Sequence, residues 1–187
     1  MRLLPAVALI LTAAPAFAGD ACAAAPDPDC LIAAAREAAA GIADADRRDG
    51  FAAMVDTLSA DPQAMHADLL ALYVSLDGWL DGRLGDFAGA EQAARALPDP
   101  ADRVTALIAL GKFWQRRDLI AAAVAELDAQ VPGTFSDAQV DALLFTALAE
   151  DLRLGDAPAA YAIAASRPDA LQRATLFLMI ASLMTPV

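Results

Sequence analysis

Apolar positions along this chain recur every three or four residues rather than every second one. Leu69, Leu72, Tyr73, Leu76 and Leu80 follow that spacing, as do Val104, Leu107, Ile108 and Gly111, and such spacing gathers apolar side chains on one face of an α-helix. No stretch alternates as a strand would. The pattern predicts long helices near 28–46, 62–83, 100–116, 137–153 and 169–184, with shorter ones near 50–60, 87–96, 119–130 and 157–166. Joined by short turns, these helices predict an all-α fold: a right-handed α-α superhelix, or solenoid, of about four to five helical hairpins.

The polar positions supply the ends of these helices. Asp27-Pro28, Asp61-Pro62 and Asp99-Pro100 each place a capping carboxylate before a proline whose missing N–H would have had no partner in the first turn. Ser136 and Gln139 form a capping box, with Phe135 set to staple against Val140, and Asp169 with Gln172 repeats the style. Gly85 and Gly155 stand where long helices must stop and a left-handed residue is needed.

One stretch of the pattern occurs twice. Asp81-Gly82-Arg83-Leu84-Gly85-Asp86 returns as Asp151-Leu152-Arg153-Leu154-Gly155-Asp156, 70 residues later. The same offset pairs Pro98-Asp99 with Pro168-Asp169, Arg103 with Arg173 and Thr105 with Thr175, giving 11 identities over positions 81–105. Asp49, Asp86, Asp118 and Asp156 mark a half-period close to the roughly 34 residues of a helix-turn-helix repeat. Leu84-Gly85-Asp86-Phe87-Ala88-Gly89-Ala90 and Leu154-Gly155-Asp156-Ala157-Pro158-Ala159-Ala160 resemble the turn and second-helix start of tetratricopeptide repeats. Phe87 stands at that family's aromatic position, and Pro98 and Pro168 resemble its closing proline. The resemblance covers about 81–175. It implies a scaffold that holds peptides or protein segments in a groove, and it brings no catalytic residues.

The last predicted helix is apolar on nearly every side, from Leu176 to Met184. A terminal helix of a solenoid ordinarily keeps a polar outer face. Phe177, Met179, Ile180, Leu183 and Met184 are therefore expected either to fold back into the array or to form an interface, with a homodimer as one outcome.

Composition agrees with helices. Hydrophobic residues make up 58% and aromatic residues 6%, and the alanine behind this contrast is the best helix former. The net charge of −12, with Lys112 the only lysine, argues against nucleic acid, whose phosphates need cations, and leaves room for a basic partner. Met1 to Ala18 reads as a signal peptide. Arg2 precedes the apolar run Leu3–Leu11, and Ala16-Phe17-Ala18 gives a cleavage pattern. Residues 1–18 are thus expected to be removed, leaving no membrane span and a periplasmic or secreted chain. Residues 19–29 would form a tethered N-terminal segment, and 30–187 the repeat domain. Export favours a disulfide between Cys22 and Cys30.

Chemical motifs are sparse. His66 is the only histidine, and with Asp61 or Asp68 it makes at best a loose metal site; no metal or cofactor is expected. The carboxylate pairs Asp44/Asp46, Asp77/Asp81 and Glu150/Asp151 are expected to coat a solvated face. Arg103 and Arg173 are expected to brace the helices, or alternatively to meet a carboxylate ligand. Tyr73, Trp79, Phe113 and Trp114 are the candidate anchors for a partner, because exposed aromatics often carry binding energy. Phe113 and Trp114, being adjacent, cannot share one helix face.

These features predict a non-catalytic, exported scaffold that binds a protein or peptide. The alternatives are a structural protein that self-associates through its C-terminal helix, and a hydrolase with acidic groove residues.

Overall fold

The computed structural model describes residues 18–60, 87–130 and 133–185. Residues 1–17 of the predicted signal peptide and the sites at Asp61, His66, Asp68, Tyr73, Trp79, Asp77, Asp81 and Gly85 lie outside the described residues. Within them the chain is all-α, with nine helices and no strand. They are α1 (Ala18–Ala24), α2 (Pro28–Ala39), α3 (Ala45–Ala60), α4 (Phe87–Arg95), α5 (Pro100–Trp114), α6 (Arg117–Asp128), α7 (Asp137–Arg153), α8 (Ala157–Ala165) and α9 (Ala170–Met184). None is long and apolar enough to cross a membrane.

Local chemistry starts most of these helices. The Asp27 carboxylate accepts the Cys30 N–H, that of Asp99 accepts the N–H groups of Ala101 and Asp102, and that of Asp169 accepts the Gln172 N–H. Ser136 and Gln139 form the complete capping box. Gln172 makes only half of one, since its amide donates to Asp141 instead. Cys22 and Cys30 are joined in a disulfide that ties α1 to the first turn of α2. On a chain-entropy account, so short a loop contributes about 2–3 kcal/mol.

The break between the first two helices, expected at 47–49, lies earlier in the chain, at 40–44. α2 ends at Ala39, and α3 begins at Ala45 after a turn through Gly41. The Asp44 carboxylate accepts the Arg47 N–H there, restarting the helix, and the alanines on either side had made the run look continuous. Asp49 therefore lies inside α3 and marks no turn, whereas Asp118 sits in the first turn of α6, directly after the turn at Gln115 and Arg116.

α4 and α8 are each 9 residues long, and α5 and α9 are each 15, with the later pair beginning 70 residues after the earlier. Arg103 and Arg173 do equivalent work in the two pairs. Nη1 of Arg103 donates to the carbonyls of Leu97 and Pro98, and Nη1 of Arg173 to those of Arg167 and Pro168. Each guanidinium pins the chain that leaves the shorter helix onto the longer one.

The C-terminal helix is covered from within. Phe177, Met179 and Ile180 are buried, while Leu183 and Met184 are half-buried against the same core. The cover comes chiefly from α2, at the opposite end of the chain, with α7 and α8 on the flanks. Leu31, Ile32, Ala35, Ala38 and Ala39 of α2 are buried in this packing. The expectation of an interface at Phe177, Met179 and Ile180 is thus corrected. A helix that is apolar all round needs a second partner layer, and the chain supplies that layer itself.

Candidate functional site

The aromatic candidates within the described residues form one cluster. Phe113 is 47% exposed, the one large hydrophobic side chain so exposed among the described residues. Its ring meets Trp114 edge-on at 4.8 Å, and Trp114 meets Phe87 in the same manner at 5.2 Å. The Arg116 guanidinium lies 4.9 Å over the Phe87 ring and bonds the Asp118 carboxylate. That bond holds the Asp118 carboxyl below its ordinary value. Of the adjacent pair, Trp114 is the half-buried member and Phe113 faces solvent. Arg103 and Arg173 bind backbone carbonyls, and Arg103 also bonds Glu126. Neither is held out toward a ligand carboxylate.

A second feature begins at Asp118. α6 and α8 run side by side in the same direction, clasped at both ends by ion pairs between residues 39 apart. At the N-terminal end Arg117 pairs with Asp156 at 2.9 Å and also donates to the Leu154 carbonyl. At the C-terminal end Arg167 makes a two-pronged contact with Asp128, and its side chain is 7% exposed. The clasps are 11 residues apart along α6, or about 16 Å at the rise of an α-helix. Between them lies a trough of about 490 Å³ with small-residue walls: Ala121 and Ala125 on α6, Ala159 and Ala162 on α8. This volume falls within the range of ligand pockets.

The floor of the trough is Asp151, in the last turn of α7. Its placement follows from Gly155, whose φ of 75° costs little only in a residue without a Cβ. The left-handed turn lets the Gly155 N–H reach the Leu152 carbonyl and the Asp156 N–H reach that of Asp151. This is a Schellman closure, and it folds Asp156 back over Asp151. Asp151 is 3% exposed, and its carboxylate has no hydrogen bond or ion pair among the described residues. Burial pushes its carboxyl up to about 7; the Asp156 and Glu150 carboxylates add to the rise, and Arg117 opposes it. A helix C-terminus also disfavours an anion. Glu150, 1% exposed, faces the other way, bonded to Arg153 and close to Lys112.

Glu150 and Asp151 thus correct the expectation of a solvated carboxylate face. The signal for their burial was present in the spacing. Asp151 lies three, four and seven residues after Leu148, Ala147 and Leu144, all core residues, so it continues their buried stripe. Nothing local marks Arg117, Asp128 and Arg167 as clasp residues. No three His, Cys, Asp or Glu side chains among the described residues converge as metal ligands. Comparison of the chain with family models, curated proteins and solved structures finds no match.

Proposed function

We propose that this chain is an exported, non-catalytic helical scaffold that holds a segment of another protein in the trough between α6 and α8. The observation that carries this reading is the small-walled trough, clasped at both ends and floored by Asp151, which is buried and without a partner among the described residues. A span of about 16 Å accepts about five residues of extended chain. The aromatic cluster adjoins the N-terminal end of the trough, because Asp118 lines the trough and also bonds Arg116, which lies over the Phe87 ring.

In this reading α4–α5 and α8–α9 are copies of one tetratricopeptide-like hairpin, as the shared lengths and the matched Arg103 and Arg173 bonds support. Export rests on the sequence of residues 1–18, with Ala18 as the cleavage point. A carboxyl that titrates near neutrality would also suit a hydrolase. The neighbouring carboxylates, however, are engaged elsewhere, Glu150 by Arg153 and Asp156 by Arg117. Asp118 and Asp128, which also line the trough, are held by Arg116 and Arg167, so Asp151 is the one lining acid without a partner among the described residues, and binding is the reading adopted.

The test is selection from a random peptide-display library against the chain beginning at Gly19. Ala162 lies on the exposed wall, so Ala162→Trp fills the trough without entering the core. Selected peptides are expected to bind this variant at least about tenfold more weakly, a loss of about 1.4 kcal/mol. Failure to select any peptide, or selection indifferent to Ala162→Trp, would overturn the reading.

A further inference from the structure

We infer that the floor of the trough is a seat for one organic cation, the ammonium or guanidinium of a Lys or Arg side chain carried by the bound segment. The inference rests on the proposed binding role of the trough and specifies the chemistry of its occupant.

The argument is one of charge left over after pairing. Among the described residues, the cations that line the trough are already engaged. Arg117 from α6 is held by Asp156 and the Leu154 carbonyl, and Arg167, just beyond α8, is held by Asp128. Behind the floor, Arg153 of α7 bonds Glu150 and the Lys112 carbonyl, and Lys112 of α5 lies 4.0 Å from Glu150. Asp118 on the rim is matched by Arg116. What remains is the Asp151 carboxylate, buried with no counter-charge bonded to it among the described residues.

A buried, unpaired carboxylate is costly. A cation arriving along the trough would remove that cost while its aliphatic stem lies against the alanine walls, as the stems of Lys and Arg do on apolar surface. The overall charge of −12 draws such a segment in. The occupant is an organic cation and not a metal ion, because no set of three ligating side chains converges here among the described residues.

The seat imposes a pH dependence with a definite sign. The cation binds the ionised carboxylate, so affinity falls as pH drops through the free group's value of about 7. Between about pH 8 and about pH 6 the ionised fraction changes by about tenfold, and affinity should change with it. The charges acting on Asp151 are those of Asp156, Arg117 and, behind the floor, Glu150, while Asp118, Asp128 and Arg167 also line the trough. Arg117 pairs with Asp156 and Arg153 with Glu150, and it is the Asp151 carboxyl that burial pushes up to about 7.

The probes are n-butylammonium and n-butylguanidinium chloride at millimolar concentration and low ionic strength, with 1-pentanol as the uncharged counterpart. Two readouts apply: the amide nitrogen–proton shifts of α6 and α8, and the carbon-13 titration of the Asp151 carboxyl. Both cations should shift trough amides about tenfold more tightly at pH 8 than at pH 6, and both should lower the Asp151 titration midpoint. Pentanol should do neither, and Asp151→Asn should abolish the cation response. The carboxyl titration uses the unaltered chain, so it decides the matter even if the variant misfolds. An unmoved midpoint, or an equal response to pentanol, would overturn the cation seat. Trough-dependent peptide binding that survives such a result would leave the scaffold standing and remove only this assignment.

Discussion

Asp151 makes the folded chain less stable than its other contacts would allow, and the sign of that cost can be worked out. In the unfolded chain its carboxyl ionises near 3.8, and in the fold near 7. Between these values the folded state binds the extra proton, so stability contributed by this group is fullest below about pH 4 and is lost as pH rises through about 7. The gap of about three units corresponds to an effect on the order of 4 kcal/mol at most. Asp151→Asn carries no charge to bury. Its unfolding free energy in urea should exceed that of the parent above about pH 7, and the difference should vanish near pH 4. A constant difference across that range would mean that Asp151 is ionised and paired in the folded chain. The residue escaped a sequence reading because adjacent acids on a chain of net charge −12 are usually solvated. Its burial depends on α6 and α8 standing on either side of it, a tertiary fact that spacing only hints at.

At the level of helices, what was legible was whatever a few neighbouring residues decide. Asp27, Asp99, Ser136 and Asp169 all cap the helices they were expected to start, because a cap is settled within three or four residues. The break after Ala39 was obscured, since alanine favours helix on both sides of Gly41 and the restart relies on one carboxylate, Asp44. Close approach between helices was also hidden. Gly111 on α5 sits so near α6 that a Cβ built there would lie 2.7 Å from Cγ1 of Ile120 and 3.0 Å from the Arg116 carbonyl. Two effects compete in Gly111→Ala. Helix propensity favours alanine by about 1 kcal/mol, whereas overpacking a filled interface costs about 1–3 kcal/mol. The backbone carbonyl cannot swing aside as a side chain could, so overpacking should win. The melting temperature is expected to fall by a few degrees, with far-ultraviolet circular dichroism unchanged, and a rise would show that α5 and α6 have room to part.

For the molecule as a whole, the pairing of α2 with α9 governs what the C-terminal helix can do. Hydrophobic periodicity identified both helices but could not bring them together, because their contact joins opposite ends of the chain and leaves no trace in local spacing. Once α2 is in place, Phe177, Met179 and Ile180 are interior residues, and self-association through them would require α2 to leave. That displacement would expose the buried stripe Leu31, Ile32 and Ala35 as well. Uncovering two apolar faces to make one interface gains little, since hydrophobic stabilisation scales with apolar area removed from water. The chain beginning at Gly19 should therefore stay monomeric at micromolar concentration by light scattering. A shortened chain beginning at Ala45 lacks the cover, and it should bind a hydrophobic dye and associate. Leu31→Ala, which keeps α2 but leaves a cavity beneath it, should cost about 2–5 kcal/mol without changing the monomer. If the shortened chain remains monomeric, folded and unreactive to the dye, α2 is not what keeps α9 from solvent, and the closure of the two ends has no role in holding the array single.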